Sequence, residues 1–255
     1  MGAKLDAPPG DASDWARTIW RYRADEVVEH RPVTAGDVFK ATVHVPTRQG
    51  PDVERMFIVL QHPCSIRIDG VNVRDGVLAA VVKRDGTLST WPIDRVYNKM
   101  PLPELIPESA AIIAGTPSES GPDSVKCWWA DFESLAIVSA EQLAPGNRIA
   151  VMDLDGVALL LQRFAHFLTR AAVAKHLFVE AVAGADAEVE ILEDWISCAV
   201  DAKVTGTEAA HDCMNWLRDD DGGGTRQARL DDSATRKRIV REAALEAEHR
   251  YSGED

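Results

Sequence analysis

No apolar run in the chain approaches the roughly 18 residues that a membrane-spanning helix needs, so no span is expected. Cysteine is sparse. Cys64, Cys127, Cys198 and Cys213 are scattered, and none forms a C-x-x-C pair. That spacing excludes a disulfide scaffold or a zinc ribbon and suits a reducing, cytoplasmic setting. The first residues, M-G-A-K-L-D-A-P-P-G-D, hold no apolar signal core. Asp6 also stands where a myristoylated glycine would need a small hydroxyl residue downstream. Positive charge is short: 28 Lys and Arg against 41 Asp and Glu leave a net charge of −13. Duplex binding needs a basic face, so nucleic acid is not an expected partner. There are no internal repeats.

What is present changes texture along the chain. Residues 1–12 are rich in Pro, Gly and Asp and read as disordered. Ser13 is a candidate cap for a helix carrying Trp15, Ile19 and Tyr22 on one face and ending before Pro32. From Gly36 the pattern alternates. Val38, Lys40, Thr42 and His44 lie against Phe39, Ala41, Val43 and Val45, a strand that ends at Pro46. R-M-F-I-V-L-Q-H after the 46–54 loop suits a strand buried on both faces. Residues 76–84 and 87–91 read as a hairpin around Asp85-Gly86. Residues 92–123 are irregular. V-K-C-W-W-A-D-F-E and S-L-A-I-V-S read as two short strands, and R-I-A-V-M-D as a last one.

After Gly156 the repeat becomes helical. One helix is expected from there to about residue 183, a second over 186–203, and a third from Thr207. The stretch D-D-D-G-G-G-T-R-Q-A-R-L-D-D reads as a flexible linker. Ser233 then caps a charged helix to about Tyr251, whose narrow stripe is Ile239, Val240, Ala243 and Ala247. Two readings stay open for it: a solvated tail, or a segment that docks on a partner. The expected fold class is α+β, a small antiparallel β-barrel followed by a helical C-terminal extension. The expected divisions are a start and N-terminal helix (1–34), a β-rich barrel (35–153), a helical region (154–218), an acidic linker (219–232) and a last helix (233–255).

Three constellations invite chemistry. V-M-D-L-D-G-V at 151–157 resembles the first motif of haloacid-dehalogenase-like phosphohydrolases, which would make Asp153 the nucleophile and Asp155 the acid/base. The other motifs of that family are missing downstream. The two carboxylates then read as the acidic first turn of a helix, favoured by its dipole. His62-Pro63-Cys64 and His211-Asp212-Cys213 offer two His and two Cys. On a helix, however, positions i and i+2 diverge by about 200°, so no metal site is expected. Cys64 as a nucleophile lacks a base fixed beside it by the sequence. Of seven tryptophans, Trp128 and Trp129 are adjacent on one strand. They must face opposite ways, one into the core and one under a loop or onto a binding surface.

The stretch 36–66 resembles the front of the PemK/MazF-like barrels. Gly36-Asp37-Val38 opens a strand, a loop follows, and Arg55 precedes the hydrophobic Met56-Phe57-Ile58-Val59-Leu60. Val59-Leu60-Gln61-His62-Pro63-Cys64-Ser65-Ile66 looks like the V-[LV]-[ST]-Q-x-C-D-[IL] strand end of an uncharacterised bacterial subgroup. The later R-I-A-V-M-D-L-D-G-V-A-L-L-L-Q-R-F-A-H-F-L-T-R at 148–170 matches a second element of that subgroup. The resemblance implies an endoribonuclease ancestry in which Arg55 would act with a Thr or Ser on the next strand. That strand reads Val77-Leu78-Ala79-Ala80-Val81-Val82, without the hydroxyl.

The resulting expectation is a non-catalytic interaction or regulatory module, of a bacterial toxin–antitoxin or phage-defence system. The alternative is a divergent, metal-independent endoribonuclease using Arg55. Gln61, His62, Cys64, Trp128 and Trp129 are the candidate binding residues. No cofactor is expected. A protein partner, by way of the 233–251 helix, or a homodimer completes the reading.

Overall fold

The structure, a computed structural model, describes residues 5–27, 31–43, 53–92, 96–106, 125–220 and 222–252. The 46–52 part of the first loop, His44, and most of the irregular 92–123 stretch lie outside them. The chain forms two compact units. One comprises Met1–Val27, Ala35–Gln61 and Asp75–Val179; the other comprises Val28–Thr34, His62–Arg74 and Glu180–Asp255.

The first unit is built on a seven-stranded antiparallel sheet that curls into a half-barrel. Its strands are β1 (Trp20–Arg23), β2 (Val38–Val43), β3 (Val53–Val59), β4 (Val77–Leu88), β5 (Lys99–Pro103), β6 (Val125–Val138) and β7 (Arg148–Met152). Their order is β1-β7-β2-β3-β4-β6-β5. The second half of β3 is apolar on both faces, and Phe57, Ile58 and Val59 are all buried. The two edge strands are joined by side chains instead of a ladder. Trp20 Nε1 donates to Pro103 O at 2.8 Å, and Arg23 Nη1 donates to Glu104 O at 2.9 Å. The prolines of β5 fit an edge, because they have no N–H to offer a further strand.

The two stretches that carry the family resemblance adjoin in this sheet. β2 pairs with β7, with Val38 opposite Ala150 and Phe39 opposite Arg148. Asp37 and Arg148, both buried, form an ion pair at 3.3 Å. Gly36 is at φ +84°, and a Cβ there would lie 2.8 Å from Met152 Cβ. Only glycine meets both conditions at little cost.

Several local expectations give way to long-range pairing. Helix α1 (Ala12–Ile19) is capped by Asp11, not Ser13, and stops at Ile19. Trp20 and Tyr22 belong to β1 because Tyr22 pairs with Val151. The expected hairpin at Asp85-Gly86 is instead an irregularity inside one long strand. β4 pairs with β6 on both sides of it, and Gly86 takes φ +63°. The two short strands around Trp128 and Ser134 are likewise the single β6, with a second shift opposite Ala80 and Val81. Residues 5–8 are packed: Leu5 is buried, and the Asp6 carboxylate accepts from Gln162 Nε2 at 2.7 Å and from Lys175 N at 3.1 Å.

Helix α3 (Leu154–Thr169) follows β7 directly and ends where Arg170 turns left-handed at φ 60°. It does not reach residue 183. Gly156 in its first turn lies against the Ile19 carbonyl, 2.3 Å from where a Cβ would be. Asp153 pairs with Arg21 at 3.3 Å and Asp155 with Lys175 at 2.8 Å. No parallel strand continues past them among the described residues, so the D-x-D-G motif is a strand-to-helix junction. Gln162 and Arg163, buried members of the second matching stretch, brace loops. Gln162 also donates to Val173 O, and Arg163 donates to Val96 O and Pro92 O. Burial pulls the Arg163 guanidinium down to about 10.

The second unit holds the short α2 (Pro63–Ile66), most of α4 (Lys175–Asp201), α5 (Gly206–Arg218), α6 (Arg226–Arg229) and α7 (Ser233–Tyr251). α4 runs unbroken through Gly184, where a helix boundary was expected. A Cβ at Gly184 would come within 2.2 Å of Asp231 Oδ1, so the glycine serves close approach. α5 starts from a capping box between Thr205 and Glu208. Trp195, Leu192, Met214 and Leu217 form the core with Leu230, Ile239, Ala243 and Ala247. The last four residues correct two expectations. The 219–232 stretch is not a bare linker: Asp220 bridges Thr225, α6 follows, and Leu230 is in the core. The narrow stripe of α7 is occupied by the chain's own core rather than offered to a partner. Arg31 is fully buried and bonds Glu193 at 2.5 Å, with Asp186 at 3.7 Å. No helix among the described residues is long and apolar enough to cross a membrane.

Candidate functional site

Arg55 sits near the start of β3, opposite Ala41 of β2, and its side chain is exposed. It lines a cleft of about 980 Å³ with Phe57, Leu135, Ile137, Glu141 and Gln142. This volume falls in the range of roughly 300–1,000 Å³ typical of ligand sites. Leu135 and Ile137 are 43% and 68% exposed, although β6 buries Val138 beside them. The turn after β6 forms one wall and is held from several sides. Gln142 Oε1 accepts from Ser139 N at 3.0 Å, and its Nε2 donates to Thr42 O at 3.3 Å. Asn147 Nδ2 donates to the carbonyls of Glu141 and Gln142. The Asp75 carboxylate accepts from Ala140 N.

Gln142 therefore has little left to offer a ligand. Among the described residues, Arg55 and Glu141 are the only ionisable side chains lining the cleft, and no ion pair joins Arg55 to a carboxylate. A guanidinium stays protonated and presents a fork of donors suited to a carboxylate or phosphate. On β4, Val82 pairs with Met56 and Val81 with Phe57, and neither brings the hydroxyl that the resemblance implies.

The other expected binding residues do not line this cleft. Gln61 is structural: its Oε1 accepts from Leu78 N at 2.6 Å, joining the ends of the β3–β4 connection. Trp129 is buried in the sheet beneath Lys99, whose ammonium lies 4.3 Å from the ring centroid. Trp128 is half-buried, opposite Leu102 and Arg84. The cleft residues that the sequence did not single out are Leu135, Ile137, Glu141 and Gln142. An apolar alternation on a strand looks the same whether it faces core or solvent.

His62 and Cys64 belong to the second unit. His62 is the N-cap of α2, and its Nδ1 accepts from Cys64 N at 3.4 Å. The same Nδ1 lies 3.0 Å from Cys64 Sγ. Sequence alone set no base beside Cys64; the cap of α2 places His62 there. In the tautomer that leaves Nδ1 without a proton, the thiol donates to it across the 3.0 Å contact. Burial lowers the His62 pKa and favours the neutral ring. His211 and Cys213 diverge as expected of a helix: His211 is exposed, while Cys213 is in the core with its thiol pushed up by burial. No group of three or more metal-ligating side chains occurs among the described residues. No family model matches the chain, and no curated protein matches it.

Proposed function

We propose that this protein is a non-catalytic binding module whose Arg55 cleft receives a segment of a partner protein, one carrying a carboxylate between apolar side chains. One observation carries the reading: a guanidinium without a described acidic partner stands beside uncovered Leu135 and Ile137 in a cleft with a braced wall. The guanidinium would hold the carboxylate, and the two exposed side chains with Phe57 would take the apolar flanks. An acid–base reaction is poorly served there. The 77–82 run of the next strand carries no hydroxyl of the kind the resemblance implies as the partner of Arg55. The setting we propose, from that resemblance, is a bacterial toxin–antitoxin or phage-defence system.

The test is selection from a phage-displayed random peptide library against the purified full chain. Peptides with Asp or Glu between apolar residues should emerge. Their affinity should fall roughly 10- to 100-fold for Arg55→Ala, the worth of a hydrogen bond to a charged group. No enrichment, or peptides indifferent to Arg55→Ala, overturns the reading. Cleavage of a mixed-sequence RNA oligonucleotide by the wild type and not by Arg55→Ala replaces it with the endoribonuclease alternative.

A further inference from the structure

We propose that Cys64 and His62 form a nucleophile–base pair that reacts with a small hydroperoxide. The pair opens on a cavity of about 180 Å³ that Arg67, Glu188, Arg218 and Gln227 also line. That volume is below the roughly 300–1,000 Å³ of sites for organic ligands, and it admits a substrate of a few heavy atoms. Cys64 is exposed and reachable. Its Sγ is 3.0 Å from His62 Nδ1, nearer than the Cys64 amide at 3.4 Å, on an imidazole whose neutral form burial favours.

The surroundings are held in place. Arg67 is buried and donates to Gly70 O at 2.8 Å and to Glu188 at 2.9 Å, and Gln227 donates to the other Glu188 oxygen at 2.8 Å. Arg218 is exposed and donates to Asp69 O at 2.8 Å, which leaves further N–H groups at the cavity. The free cysteines elsewhere lack these features. Cys213 is buried, and Cys198 is half-buried with its thiol pushed up by burial and by Asp194.

The chemistry balances without a further reactant. The Cys64 thiol proton passes to His62 Nδ1 as Sγ attacks the terminal peroxide oxygen. The S–O bond forms and the O–O bond breaks. Sulfur is oxidised to a sulfenic acid, and the peroxide is reduced. The departing oxygen takes the proton back from His62 and leaves as water or an alcohol, with the Arg218 N–H groups available to its developing charge.

The experiment treats the purified full chain, freed of reductant, with hydrogen peroxide. Dimedone traps sulfenic acid, and mass spectrometry maps the adduct. N-acetylcysteine under the same conditions is the reference thiol. Cys64 should react about tenfold faster than the reference, since a thiol without a base reacts only through the few per cent ionised at pH 7. His62→Asn keeps a good N-cap and removes the base, so it should return Cys64 to the reference rate with an unchanged circular-dichroism spectrum. Reaction of wild-type Cys64 no faster than the reference overturns the proposal. So does an equal rate in a folded His62→Asn chain. Should that variant not fold, the wild-type comparison decides alone.

Discussion

Replacing Gly156 by alanine tests the junction that joins β7 to α3. A methyl group there would lie 2.3 Å from Ile19 O and 3.1 Å from Ile19 Cα, both backbone atoms. Ile19 O also accepts from Asp153 N at 2.9 Å, so pushing it away breaks that bond. Overpacking costs about 1–3 kcal/mol. Losing that hydrogen bond costs about 0.5–1.5 kcal/mol more. Alanine recovers at most about 1 kcal/mol of helix propensity. The net loss is roughly 1–4 kcal/mol, or about 2–15 °C in Tm for a unit of this size. Thermal unfolding followed by circular dichroism reads it, with Gly146→Ala as control, since a Cβ at Gly146 meets nothing within 4 Å. A Gly156→Ala chain as stable as the control would refute the close approach. It would also remove the packing reason for a glycine in the D-x-D-G motif.

Arg31→Ala should cost about 3–5 kcal/mol, because it leaves Glu193 and Asp186 without their buried cation; denaturant titration measures it. Trp20→Phe removes the bond to Pro103 O that joins the sheet edges, and should speed hydrogen exchange in β5 over that in β3; equal rates would mean the edges are held otherwise. The Asp69 carboxylate accepts from Asn72 N, Val71 N and Asn72 Nδ2, which hold its pKa well below 3.8. Its folded form thus binds fewer protons than the unfolded chain below that value. The turn's contribution is full above about pH 4–5 and is lost on further acidification, a dependence that Asp69→Ala should lack in acid titrations of stability.

Periodicity made the β-to-α switch legible, because alternation and a 3.6-residue repeat are local properties of the chain. The start of α3 after Asp153, and the absence of a parallel sheet beyond it among the described residues, follow from that. Non-local contacts were not legible. Asp85-Gly86 looks like a hairpin turn, yet β6 pairs across it and makes it an irregularity in one strand. Tyr22 continues the spacing of Trp15 and Ile19, yet β7 takes it into the sheet. Gly184 looks like a helix stop, yet Asp231 lies close to it and the helix continues. The candidate sites divide in the same way. Arg55 could be named because a resemblance pointed to it, whereas its neighbours Leu135 and Ile137 lie eighty residues further on and look like ordinary core.

Side-chain pattern along the chain was thus enough for the switch from strand to helix, for the acidic balance and for the want of any membrane-length helix. Which strands pair, which glycines face backbone, and whether His62 reaches Cys64 depend on atoms brought together by folding. Those contacts cost chain entropy and are repaid by burial and hydrogen bonds elsewhere, so no local stretch records them.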